Sequence, residues 1–409
     1  MPPTPFPSLD VTAAAAPRAA PLPDTAPAQV QTALCHAGRH PQAHSGAVNV
    51  PVFHASTILF PTLEALDAKA SAPVRYGRRG TPTTQALEEA VSALEGAVGT
   101  VLTPSGAMAI TVTLLAHARP GAHYLIPDNV YGPCRHAYTE LLQPMGIDCT
   151  FYDPQIGAGI ARLVRPETVL IWIEPPGSQT FEMPDIRAIV DVARAHGIPT
   201  ALDNTWSGGL FLQPLAMGVT YSVQAGTKYL CGHSDVMSGT IACAPGAHER
   251  MKTYAARLGV CVGPDDAYLV LRGMRTLIMR MRQHHAAGLQ VAAWLQTRPE
   301  VLRVMHPGLA SDPGHALWRR DFTGASGLFG FVLKPVARPA LARMMDGLRY
   351  YGMGSSWGGF ESLLIPTEPA KLRSSTEWAP GGQSMRIHVG LEDPEDLIRD
   401  LEAGLARLN

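Results

Sequence analysis

This chain of 409 residues carries little charge: 16% of its residues are Asp, Glu, Lys or Arg, and they sum to −1 at neutral pH. That balance gives no basic footprint for nucleic acid and no polybasic stretch for an anionic membrane. No apolar run reaches the roughly 18 residues of a spanning helix. The N-terminus also lacks the cationic start and apolar core of a secretory leader. Six cysteines (Cys35, Cys134, Cys149, Cys231, Cys243 and Cys261) include no C-x-x-C pair. They argue for reduced thiols in the cytoplasm rather than a disulfide framework. Zinc, P-loop and Ser-His-Asp signatures are missing as well. His36, His40 and His44 have helical spacing, but Gly38, Pro41 and Gly46 interrupt it, which argues against a metal site. What remains is a soluble cytoplasmic protein with no signal for nucleic acid, membrane or metal.

What is present is apolar: 46% of the residues, in a length that suits two or three domains. Residues 1–28 are mostly Pro, Ala and Thr and read as a loosely attached tail. Residues 29–80 are mixed and rich in Gly, Pro and His. From Pro82 the pattern turns regular. Thr84 to Leu94 reads as a helix, Ser105 opens a second helix, and His123–Ile126 and Ile147–Tyr152 read as strands. Thr168 to Glu174 is nearly continuous in apolar residues, as a strand buried on both faces of a parallel sheet would be. Ile186, Ile189, Val190 and Ala193 fall at helical spacing before Gly197. Ile198–Leu202 and Tyr221–Gln224 follow as strands. This alternation predicts an α/β domain over 81–276 with a mostly parallel sheet. A smaller α/β domain follows over 277–409, with strands at Gly327–Leu333 and Ser384–Val389.

The chemistry centres on Lys228, in Gln224-Ala-Gly-Thr-Lys-Tyr-Leu230. It lies 25 positions after Asp203, which ends the apolar stretch Pro199-Thr-Ala-Leu-Asp203. Ligands of parallel sheets gather beyond the carboxyl ends of strands, where both residues fall. A lysine amine and a carboxylate so placed are the groups pyridoxal phosphate needs: one to condense with its aldehyde, the other to keep its ring nitrogen protonated. The bland alternative is a buried acid and a surface lysine.

Neighbouring segments add to this pair. Ser105-Gly106-Ala107 at a loop-to-helix junction offers backbone N–H groups to a phosphate, or is simply an N-cap. Thr227 adds a hydroxyl, which otherwise bonds the local backbone. Tyr131 stacks on a flat ring and holds a titratable hydroxyl over it, or packs on its own domain. Arg386, a charge within a strand pattern, grips a substrate carboxylate or a structural acid. Tyr76-Gly-Arg78-Arg79 clusters stacking and anion-binding groups in a Gly-rich loop, or is a solvated turn. His284-His285 beside Arg280 and Arg282 reads as a polar helix face.

Taken together these segments resemble the Cys/Met-metabolism family of pyridoxal-phosphate enzymes. The resemblance spans roughly residues 30–409. It rests on Tyr76-Gly-Arg78, Thr81-Pro-Thr83, Ser105-Gly106, Asp203-Asn-Thr205, Thr227-Lys-Tyr229, Gly232-His-Ser-Asp235 and Arg386-Ile-His-Val-Gly-Leu-Glu392. It implies an α/β, aspartate aminotransferase-like fold (fold type I) and pyridoxal 5′-phosphate as cofactor.

The same resemblance implies a role for each matching position. Lys228 holds the aldehyde carbon and acts in catalysis with Tyr131, which also stacks on the ring. Asp203 meets the ring nitrogen. Ser105, Gly106, Ala107 and Thr227 surround the phosphate, and Ser178 lies beside the ring. Arg386 and Ser356 bind the substrate α-carboxylate and Trp357 narrows the pocket; outside what the resemblance implies, Arg79 is chosen for the distal carboxylate. Tyr76 and Arg78, in the arm 29–80, are implied to complete the site of a neighbouring subunit, in a homotetramer of dimers.

Within the family, Asp203-Asn-Thr-Trp206, Gly232-His-Ser-Asp-Val-Met237 and Ser355-Ser-Trp-Gly-Gly-Phe-Glu-Ser362 resemble the bacterial cystathionine β-lyase branch. The reaction then expected is α,β-elimination on L-cystathionine, a transsulfuration step toward methionine. A broad-range cysteine desulfhydrase, a γ-acting relative and a cofactor-bearing regulator remain as alternatives. Two positions depart from the common pattern: Ala225 stands where many members carry Ser, and Ser178 where many carry Asn.

Overall fold

The computed structural model describes residues 29–408; the expected tail over 1–28 lies outside them. Eleven strands form two sheets. They are β1 (Gly99–Thr103), β2 (His123–Pro127), β3 (Asp148–Tyr152), β4 (Thr168–Ile173), β5 (Thr200–Asp203), β6 (Tyr221–Gln224), β7 (Gly239–Cys243), β8 (Val301–Met305), β9 (Leu328–Leu333), β10 (Leu363–Thr367) and β11 (Gln383–His388). The larger sheet has the order β1-β7-β6-β5-β4-β2-β3 and the smaller β10-β11-β9-β8.

In the larger sheet β3, β2, β4, β5 and β6 run parallel. Only β7 opposes its neighbours β1 and β6. All six residues of β4 are buried, because the sheet is covered on both faces. Side chains alternate along a strand, so Ile171 and Ile173 join one apolar layer while Leu170 and Trp172 join the other. In the smaller sheet Phe329, Phe331 and Leu333 of β9 face a third core shared with Val291 and Leu401. The opposite face of β9, at Leu328 and Val332, continues the core of the large sheet.

The helices begin where local chemistry lets them. Pro82 opens Pro82–Glu95 behind Thr81, whose hydroxyl caps the Thr84 amide, and Gly96 at φ +66° ends it. The expected helix at 186 runs Ile186–Ala195, capped by Asp185. Four strands escape the sequence pattern: β1, β7, β8 and β10. Gly99-Thr and Gly239-Thr start the first two without alternation. The others are sheet edges, where exposure and Pro366 are tolerated. The smaller sheet is antiparallel throughout.

The expected polar face at 280–285 is corrected by the structure. His284 and Arg280, in the helix Leu277–Leu295, are buried. The Arg280 guanidinium donates to the carbonyls of Tyr229 and Gly273, at 2.7 Å each. Arg280 and His284 satisfy buried backbone, which composition alone does not distinguish from a solvated face, while Arg282 is exposed and His285 half-buried as a polar face would have them.

Candidate active site

The carboxyl ends of β2, β4, β5 and β6 open on one cavity of about 460 Å³, and the loop before β10 together with Arg386 of β11 closes its other side. The structure brings together Ser105, Gly106, Ala107, Tyr131, Ser178, Asp203, Thr227, Lys228, Ser356, Trp357 and Arg386 around it. Arg78 and Arg79 line a different cavity of about 360 Å³, with Glu88 and Lys252. Arg78 there donates to the Ala256 carbonyl at 2.8 Å. Tyr76 is 44% exposed. Within one chain these three residues do not join the others.

Lys228 is tied down at both ends. Its amide bonds the Ala225 carbonyl at 3.0 Å, and Nζ donates to Ser356 Oγ at 2.6 Å. The ammonium lies 5.3 Å from the Trp357 ring centre. Burial, then the neighbouring Arg386, pushes the Lys228 amine down to about 8, against the pull of Asp203. A base poised near neutral pH is what proton abstraction requires.

Asp203 ends β5. Its Oδ1 accepts the Thr205 amide at 3.0 Å, and burial pushes its carboxyl up. No cation lies within ion-pair distance of it among the described residues. A half-buried carboxylate in a cavity wall is well placed for a positive donor from the cavity itself.

At the far end, the helix Gly106–Leu115 points its start at the cavity. The Ser105 hydroxyl caps the Met108 amide at 3.1 Å, which leaves the Gly106 and Ala107 amides without intrahelical acceptors. A Cβ at Gly106 would come within 2.5 Å of Ala225 Cβ, so only glycine lets this bare backbone sit against Ala225. The Thr227 hydroxyl exchanges bonds with Ser238, donating to its carbonyl at 3.1 Å and accepting its amide at 2.9 Å. Ser105 and Thr227 therefore keep their hydroxyls on local backbone, and the first-turn amides are the open donors.

Tyr131 stands at the N-cap position of the short helix Gly132–His136, with no capping bond from its side chain. Burial and the acids Asp203 and Glu174 raise its phenol above the ordinary range, against Arg386. The Ser178 amide bonds the Asn129 carbonyl at 2.9 Å, joining the two loops that carry Tyr131 and Ser178. Arg386 spends Nη2 on the carbonyls of Gly354, Ser355 and Ser356, at 3.1, 2.7 and 3.2 Å. Burial lowers its pKa to about 10. It meets no acidic side chain within ion-pair distance among the described residues.

Glu174 was not singled out from the sequence, yet it lines the cavity. Its two carboxyl oxygens both accept the Tyr131 amide, at 3.1 and 3.0 Å, and burial raises its pKa. The signal was available: it is an acid at the carboxyl end of a buried parallel strand, as Asp203 is.

A family model described as Cys/Met metabolism PLP-dependent enzyme matches residues 31–406. The chain belongs to the Cys/Met-metabolism family of pyridoxal-phosphate-dependent enzymes. It is 41% identical to the Escherichia coli K12 protein named cystathionine beta-lyase MetC, over 93% of this chain and 99% of that one. It is 39% identical to the Wolbachia pipientis wMel protein named L-alanine/L-glutamate racemase, over 92% of this chain and 97% of that one. A crystal structure titled metB from Corynebacterium glutamicum superposes with a TM-score of 0.87 at 28% identity, covering 93% of this chain and 99% of that one. The aspartate aminotransferase-like expectation agrees with that likeness, and pyridoxal phosphate is the cofactor of this family. The cavity fits it on two observations: bare helix amides at one end suit a phosphate, and the half-buried acid at the other, with no cation in ion-pair distance among the described residues, suits a protonated ring nitrogen.

Proposed function

We propose that this chain is a carbon–sulfur lyase catalysing α,β-elimination on L-cystathionine to give homocysteine, pyruvate and ammonia. The observation that carries the reading is Lys228: a single amine, lowered to about 8, held by Ser356 and facing a cavity that also contains Asp203 and Arg386. The name of the Escherichia coli relative supports the choice of substrate.

The residues assigned to hold pyridoxal phosphate are Lys228 at the aldehyde carbon, Asp203 at the ring nitrogen, and Tyr131 and Ser178 beside the ring. At the phosphate end these are Gly106 and Ala107, with Ser105 and Thr227 shaping the loop. When bound there, the cofactor supplies an electron sink beside the substrate Cα. Arg386 presents a planar fork to the α-carboxylate, with Ser356 beside it. Lys228, neutral once substrate has taken its place, removes the Cα proton. The electron pair passes toward Cβ, the Cβ–S bond breaks, and the leaving sulfur takes a proton from Lys228 or from the neutral Tyr131 phenol. Hydrolysis of the released aminoacrylate gives pyruvate and ammonia. Trp357 stands against Tyr229, with ring centres 5.5 Å apart, and narrows the pocket beside the segment that binds the carboxylate, which we take to favour β- over γ-elimination.

Arg78 and Tyr76 complete the phosphate site, and Arg79 meets the distal carboxylate, only if they come from a second copy. Leu59 and Leu63 in the same arm are 87% and 72% exposed, which supports docking of residues 29–80 on another subunit. We assign a homotetramer built from such dimers. No helix of the described residues is long and apolar enough to cross a membrane, and the six cysteines are free, in keeping with a cytoplasmic enzyme.

The test is a visible spectrum of the purified protein with L-cystathionine added and pyruvate assayed in the same cuvette. An absorption band that changes as pyruvate appears supports the lyase, and Lys228→Ala should remove both. Interconversion of L- and D-alanine without pyruvate would instead move the reading to racemisation, the activity in the Wolbachia relative's name.

A further inference from the structure

The loop that presents Ser356 and Trp357 to Lys228 is mostly solvent-facing, yet it makes one close contact with the lysine's own backbone. Gly358 is buried with φ +85°, and a Cβ there would stand 3.0 Å from the Lys228 Cα, C and Cβ atoms. A glycine is required on both counts, conformation and space. Something must hold so close an approach in place.

His388 does so. It is the last residue of β11, two positions after Arg386, and is buried. Its Nε2 lies 3.1 Å from the Gly358 amide nitrogen and its Nδ1 3.1 Å from the Glu361 carbonyl oxygen. A backbone amide can only donate and a carbonyl can only accept. Nε2 must therefore carry the lone pair and Nδ1 the proton: one neutral tautomer satisfies both ends of the turn 358–361. A proton on Nε2 would oppose the Gly358 amide.

The surroundings resist that protonation. The His284 ring is 5.2 Å away and Tyr229 6.1 Å. Burial first, then the nearby His284, and next Arg386 and Lys228, keep His388 well below the ordinary imidazole range, against the Glu361 carbonyl. His284 is itself anchored through Nδ1 to the Val389 carbonyl at 2.9 Å, so its ring fixes the wall behind His388.

We infer that His388 is a positioning residue for the elimination: through the Gly358 amide it sets the loop that places Ser356 and Trp357 on Lys228. Arg386 grips the same loop a few residues earlier, through the carbonyls of 354–356. β11 thus carries both anchors on alternate residues, pointing to the same face. One anchor faces substrate and the other does not.

The inference rests on Lys228 being the base of the proposed reaction, so its test needs a reading that does not involve substrate. The probes are His388→Gln and His388→Asn in the full-length loaded protein. The glutamine carbonyl reaches the Nε2 position and can accept the Gly358 amide. The asparagine amide reaches only the Nδ1 position and can serve only Glu361.

In His388→Asn, hydrogen exchange of the Gly358 amide should accelerate about ten- to hundredfold, the usual consequence of an unsatisfied buried donor. The pH midpoint of activity assigned to Lys228 should rise as its wall loosens and its burial falls. kcat should fall by a factor similar to the exchange change, with KM little moved. His388→Gln should restore all three.

Wild-type exchange at Gly358 in His388→Asn would overturn the inference. So would equal impairment of both variants at unchanged melting temperature. Loss of the exchange protection in a protein that never releases pyruvate would keep the loop anchor and reject the lyase, so the two failures separate.

Discussion

Lys228 Nζ donates to Ser356 Oγ at 2.6 Å, joining the end of β6 in the large sheet to the loop before β10 in the small one. The bond spans the cavity between the two sheets, which other polar links such as Trp206 Nε1 to the Leu328 carbonyl also join. It holds a flexible four-carbon side chain in one direction before the lysine acts. Ser356→Ala should therefore lower kcat about tenfold, since one hydrogen bond is lost at the base, and raise KM as well, since Ser356 also stands beside the substrate α-carboxylate. Steady-state pyruvate release measures both constants; an unchanged kcat would show that the bond does not orient the base.

A second connection holds the Tyr131 loop. Asp128, fully buried at the end of β2, accepts Arg135 Nη2 at 2.6 Å and the amides of Ser374, Ser375 and Thr376 at 3.0, 2.9 and 2.7 Å. Burial pushes its carboxyl up, but the bonds from Thr376, Ser375, Arg135 and Ser374 outweigh it and hold the group well below the usual range. With a folded pKa below the unfolded value, the contribution is complete above about pH 4 and is lost as pH falls further toward the folded pKa. Asp128→Ala should cost about 3–5 kcal/mol, because it strands Arg135 and three amides. Urea unfolding at pH 7 and at pH 3 checks this. The wild-type advantage should shrink at pH 3, and an advantage equal at both would refute the account.

How far these features could be read from residues alone depends on where their partners lie. Lys228 and Asp203 were legible because each pairs a charge with the end of an apolar run, a local signal. The strands β4 and β6 were legible for the same reason. Glu174 carried that signal but sat inside a Pro-Gly loop that drew attention to Ser178 instead. His388 carries no local signal of its own: its role depends on Gly358 and Glu361, about thirty positions earlier in the chain, a contact no local pattern encodes. Arg280 and His284 looked solvated because polarity does not say which polar groups will face backbone. Tyr76, Arg78 and Arg79 stood out as a cluster, yet in this chain they lie outside the cavity that holds Lys228.

Glu95 offers a clear pH test. It is fully buried at the end of the helix Pro82–Glu95, with Oε2 accepting Asn204 Nδ2 at 3.1 Å and Ser222 Oγ at 2.8 Å, and Oε1 accepting Gln224. Burial raises its carboxyl to about 7, against the bonds from Ser222, Gln224 and Asn204. Between the unfolded value of about 4.5 and 7 the folded protein holds a proton that the unfolded chain releases. Stability from this group is thus full at low pH and falls as pH rises through that window, by about 3 kcal/mol in all. Glu95→Gln removes the titration. Its stability relative to wild type should rise between pH 5 and pH 8, read as a difference in melting temperature at each. A difference identical at the two pH values would mean that Glu95 stays ionised throughout.

The location of Arg78 makes the oligomer testable without a structure of it. In one chain Arg78 lines the smaller cavity, apart from Lys228. If the arm 29–80 serves a neighbour, Arg78→Ala and Lys228→Ala disable different members of each shared site. A mixed dimer then holds one site with both residues intact and one with both lost. Refolding the two inactive variants together at equal amounts should recover about a quarter of wild-type activity, since about half the dimers are mixed and each has one good site. If Arg78 instead served its own chain, every site in the mixture would lack one residue and no activity would return. Pyruvate release before and after mixing decides between them, with each variant alone as the baseline.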